Sequence, residues 1–260
     1  MSSDILLPQS SALFKGINAF EPYIYRLHKE FRDGEFVDWP TVILTTTAQS
    51  TAVSLFKLLP PPDLSNEVLD KRSIATLVRN IIDTFDVMDM MVNTDTPTRF
   101  ELHRNILGMY LAGRINKVQQ SIDAEKVEDF YKHNKEWYWA SIKKSPLFNK
   151  SIERLKNNEG VFYHSRKTRV KRVCGEHAEF VSGVLTDLST YVHSISPSIW
   201  MNSLDELYSD TVKNRNVTAV WLRIANFYFA KIINVFIATT NYELTKELEE
   251  FIDHHKDVFS

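Results

Sequence analysis

TAVWLRIANFYFAKIINVFIATT, running from Thr218 to Thr240, is the most apolar stretch of the chain, and the rest of the sequence has to pack around it. At about 100° per residue, Trp221, Leu222, Ile224, Ala225, Tyr228, Phe229, Ile232, Val235 and Phe236 gather on one wide helical face. Ala219, Arg223, Asn226, Ala230, Asn234 and Asn241 form the opposite stripe. The length would suit a bilayer, but Arg223, Asn226, Lys231 and Asn234 inside the span would each be costly in hydrocarbon. The expectation is therefore no membrane span. Instead the stretch reads as a central helix with one polar seam, which either joins another helix through hydrogen bonds or lines a small-molecule pocket.

Outward from that helix, 260 residues with 43% hydrophobic content supply a sizeable core. The 7 glycines stand singly, at 16, 34, 108, 113, 160, 175 and 183, so no glycine-rich phosphate loop can be assembled and no nucleotide cofactor is expected. A net charge of -2 requires any basic surface to be local. Cys174, alone, rules out an internal disulfide and multi-cysteine zinc, and it fits a reducing compartment. Met1 to Ala12 has neither a basic start nor an apolar run of secretory type, which leads to the expectation of a cytoplasmic protein.

Taken in order, residues 1–12 read as a loose terminus. Leu13 to Phe31 carries helical spacing that Pro22 should bend or split. Pro40 sits well at the first position of a helix reaching Leu59, and Pro60, Pro61 and Pro62 end it. Ser65 or Asn66 can cap a helix between Glu67 and Val92. Thr96 and Pro97 open another to about Val118, in which Gly108 and Gly113 let a neighbour approach closely. Asp123 to Lys144 follows, with Trp137, Tyr138 and Trp139 as its aromatic load, and a shorter helix reaches Asn157. Residues 157–175 lose the pattern and read as an exposed basic loop. Glu176 to His193, the central helix, and Tyr242 to Phe259 complete an all-α irregular bundle of eight or nine helices in one domain, 1–260.

The sharpest local signal is Arg166, Lys167, Arg169, Lys171 and Arg172, five cations within seven residues, a cluster suited to phosphates. A solvated surface run is the bland alternative. Arg79 and Asp83 lie one helical turn apart, and with Ser189 and His193 they could make a polar constellation. That group could serve a phosphate or merely fix helix register. Glu250 and His254 share a face but cannot close a coordination sphere, so no metal site is expected. Met88, Met90 and Met91 read as core filling.

Arg172 and His177, four residues apart, resemble the Arg/His motif of the HEPN superfamily, helical bundles that often dimerise and cut RNA without metal. The resemblance implies Arg172 holding the scissile phosphate and His177 moving a proton, roles that suit a guanidinium and an imidazole. A broader likeness, carried by Leu77-Val78-Arg79-Asn80-Ile81-Ile82-Asp83, Tyr110 and Leu188-Ser189-Thr190-Tyr191-Val192-His193, covers roughly residues 65 to 200. It resembles a family of uncharacterised all-helical bacterial proteins, to which no reaction is attached. Together these imply an RNA-engaging, HEPN-like cytoplasmic protein acting as a homodimeric, metal-independent ribonuclease in bacterial stress response or phage defence. The alternative from another class is a non-catalytic helical scaffold that binds a protein partner or a second copy.

Overall fold

In the computed structural model the chain is described over residues 5–35, 38–61, 68–92, 96–120, 124–156, 161–162, 164–192 and 208–259. The fold is all-α. Its helices are α1 (Leu6–Arg32), α2 (Trp39–Lys57), α3 (Lys71–Val92), α4 (Pro97–Gln120) and α5 (Ala124–Lys144). They continue with α6 (Lys150–Glu153), α7 (Arg166–Cys174), α8 (Ala178–Val192), α9 (Val212–Thr240) and α10 (Lys246–His254). Among the described residues the extended backbone pairs only at an isolated bridge, Val68 with Ser209.

The single domain expected over 1–260 meets a chain whose contacts divide into two compact units: Met1–Met88 with Val170–Ser260, and Asp89–Arg169. The larger is built on α9. Trp221, Leu222, Tyr228, Phe229 and Phe236 are fully buried, and Phe20 of α1 meets Phe229 and Phe236 edge to face. Among the described residues α9 alone is long and apolar enough to cross a membrane, and 72% of its most apolar window is buried inside the protein. Thr211 caps its start by accepting from the Asn214 amide, and Asn241, at φ 55° in the left-handed region, ends it.

Just before α9 the chain is held by buried polar groups. Arg215 makes two 2.7 Å contacts with Asp210 and donates to the Pro61 carbonyl, while Lys71 donates to Asn214 at 2.7 Å. A buried pair of this kind is tolerated because every charged atom finds a partner.

α1 corrects two expectations. Residues 6–12 are helical rather than loose, because Leu6 and Leu13 are both buried and Asn226 of α9 donates to the Gln9 carbonyl at 3.0 Å. Pro22 sits inside a continuous helix. It is tolerated because Pro22 and Asn18, whose carbonyl loses its amide partner, both lie on the exposed face. Ser65 and Asn66 lie outside the described residues, and the start of α3 is served by Asp70, which accepts from the amides of Arg72 and Ser73. α10 is shorter than the expected run from Tyr242, since the chain restarts only where Thr245 caps Leu248.

α10 packs antiparallel to α1. The Tyr23 hydroxyl donates to the Glu243 carbonyl and accepts from the Thr245 amide, while the Phe251 ring lies against Gly16 two turns back along α1. Glycine is required there, since a Cβ at residue 16 would stand 2.6 Å from that ring. In the smaller unit α4 and α5 meet the same way, with Gly108 under the Tyr138 ring, where a Cβ would stand 2.5 Å away; at Gly113, also expected to admit a close neighbour, a Cβ would meet Lys135 only at 3.9 Å. Trp139 is buried against Phe148, and Trp137 is 58% exposed.

Candidate functional site

The constellation on α3 and α8 forms as far as it is described. Arg79 Nε donates to both oxygens of Asp83 at 3.1 Å, and its Nη1 donates to the Ser189 hydroxyl at 2.9 Å. Ser189 in turn donates to the Leu185 carbonyl. Arg79 thus pairs with Asp83 on α3 and links α3 to α8 through Ser189. His193, the fourth nominee, lies outside the described residues.

The basic stretch is a helix rather than the expected loop. Ser165 caps it by accepting from the Thr168 amide, Val170 and Cys174 are buried one turn apart, and Gly175, at φ 55°, stops it. The composition hid this helix, because its charged positions mask a two-residue apolar face. Arg169 leaves the cationic group altogether. It is 8% exposed, lies 3.8 Å above the Phe162 ring and donates to the His164 carbonyl. Arg166, Lys167, Lys171 and Arg172 are exposed.

His177 lies in the short turn after Gly175 and is held by the C-terminal segment. Its Nε2 is 3.2 Å from Asp257 and 3.7 Å from Glu176, and its ring meets Phe259 edge to face. One ring nitrogen of His177, in the expected Arg172/His177 pair, thus faces a carboxylate. The polar seam of α9 also divides. Asn226 is fully buried and tied to Gln9, whereas Asn234 is exposed. Cys174 is buried 3.6 Å from the Tyr228 hydroxyl, and burial pushes its thiol up. Among the described residues no three His, Cys, Asp or Glu side chains group as a metal would need.

What the sequence did not single out is an open trough of about 960 Å³ between α1 and α10. On the α1 side it is lined by Pro8, Ala12, Phe14, Lys15, Ala19 and Pro22. On the α10 side stand Glu247, Glu250, Phe251, His254 and His255. Phe14 and Ser11 also line an adjoining recess of about 410 Å³, where Phe14 stacks on Phe56 at 4.9 Å beside Leu7 and Leu59. Phe14 is 46% exposed and Leu7 44%, and both line this recess.

His255 closes one wall of the trough. It is 3% exposed, its Nε2 has no hydrogen-bond partner, and burial, with a smaller push from His254, lowers its pKa to about 4. It is therefore neutral at physiological pH. One sequence signal could have pointed here: α1 has a second stripe at 8, 12, 15, 19 and 22, rich in small residues, beside the stripe that faces α9. No family model, curated protein or solved structure matches this chain.

Proposed function

We propose that this chain is a non-catalytic helical interaction module. The observation that carries the reading is the open, largely apolar trough between α1 and α10, continuous through Phe14 with the recess at Phe56. Surfaces of this kind, rimmed by polar residues, are where helical proteins bind partners. The nominated polar groups make contacts within the fold that a structural role accounts for, Arg79 with Asp83 and Ser189, and His177 with Asp257.

A photo-crosslinking phenylalanine analogue placed at position 14 tests this in cells. A discrete, nuclease-resistant protein adduct is expected at position 14 and at position 7, lost on Ala12→Trp, with none at the comparably exposed Phe31, which lies on another face of α1 beyond the end of the trough. Absence of an adduct at both positions would remove the proposal.

A second reading keeps RNA as the ligand, on the strength of four exposed cations along α7. HEPN-like cleavage by Arg172 and His177 would use His177 through its Nδ1, with Nε2 lying 3.2 Å from Asp257.

A further inference from the structure

The trough has the dimensions of an absent bundle helix. Its α1 wall runs from Pro8 to Pro22, about 21 Å at 1.5 Å per residue, or about four turns. The α1 lining keeps a spacing of three to four residues through 8, 12, 15, 19 and 22, flanked by Ser11, Phe14 and Asn18, and the shorter α10 lining keeps it through 247, 250, 251 and 254, so each wall follows one helix axis. Ala12 and Ala19 on the floor carry short side chains, which lets a third helix axis approach to the usual 8–10 Å or so. Phe14, 46% exposed, gives that helix an apolar surface to lie on, with the half-buried Ala12 and Ala19 beside it.

Charge selects the occupant. The α10 lip carries Glu247 and Glu250, and Glu249 and Asp253 are exposed on the same helix. Lys246 reaches Glu250 only at 3.7 Å, with both side chains mostly in solvent, so it leaves that carboxylate open to a partner. The α1 lip offers one cation, Lys15, and the buried His255 adds no charge. A helix seated here meets acid along one edge and a single base along the other.

A second copy of this chain fits less well. Its cationic helix, α7, has already buried its apolar face through Val170 and Cys174. Resting on the interaction-module reading, we propose that the α1–α10 trough docks an amphipathic α-helix of a partner protein, apolar face down, with its lysine- or arginine-bearing edge against Glu247 and Glu250.

The test uses the full chain and two labelled helical peptides of about fourteen residues. They share one leucine and alanine face; one carries lysine and arginine on its edges, the other glutamate. Fluorescence anisotropy should show the basic peptide binding about tenfold tighter or more, with the margin shrinking as salt rises. Glu247→Lys/Glu250→Lys should reverse the preference, and Ala12→Trp, which fills the trough, should abolish binding of both at unchanged Tm.

Equal affinity for the two peptides, or a preference indifferent to the charge reversal, overturns the proposal. So does finding neither peptide bound while an apolar dye, or self-association abolished by Ala12→Trp, occupies the trough. If the position-14 adduct persists while the peptide preference is absent, only the partner chemistry is wrong. If the adduct is absent too, the interaction-module reading falls with it.

Discussion

A histidine with 3% of its surface exposed, an unpartnered ring nitrogen and a pKa of about 4 makes the fold sensitive to mild acid. The unfolded chain takes up this proton near pH 6.5 and the folded chain only near 4, so between those values the unfolded state binds more protons. Stability from His255 is thus complete above pH 6.5 and declines as pH falls towards 4. Between pH 7 and 5 the loss amounts to about 2 kcal/mol. Thermal melts of wild type and His255→Leu at the two values should show the wild type losing more, since the variant lacks the titrating ring. An equal loss would mean that His255 is hydrated and titrates normally in the folded protein.

Elements are joined here at glycines that sequence periodicity cannot rank. Gly16 and Gly108 look alike as single glycines inside helical patterns, and each turns out to lie beneath an aromatic ring of a neighbouring helix. Gly16→Val should drive its side chain into Phe251 and cost about 2 kcal/mol, read as a lower urea midpoint at constant slope. Gly16→Ala should cost less, because the better helix former returns about 1 kcal/mol. Adding Phe251→Leu to Gly16→Ala should be less damaging than the two single changes combined, a coupling that a double-mutant cycle would register. Additivity would place the α1–α10 contact elsewhere than at this ring. The same contact positions α10 and hence one wall of the trough, so the partner peptide should weaken in parallel.

For the whole molecule, a net charge of -2 means that any polyanion must be met by local cations, and α7 carries four exposed ones within seven residues. On the interaction-module reading, total RNA incubated with the protein in EDTA should stay intact, equally for wild type and His177→Ala. Cleavage lost specifically in His177→Ala would restore the ribonuclease reading. Weak binding without cleavage, abolished by Lys167→Glu/Lys171→Glu and by moderate salt, would mark α7 as a nonspecific phosphate contact.

The hydrophobic stripes were enough to determine the all-α class, the central position of 218–240 and most helix spans, because apolar periodicity is a local property that burial simply honours. Local chemistry likewise disclosed the pairing of Arg79 with Asp83, one turn apart. Tertiary structure alone decided the rest. It made residues 6–12 helical by burying Leu6 and Leu13, turned the basic stretch into a helix by burying Val170 and Cys174, and withdrew Arg169 from the cationic surface. It also brought Asp257 to His177 and set α10 antiparallel beside α1 to open the trough. Those outcomes depend on contacts between residues far apart in the chain, whose partners no local pattern names.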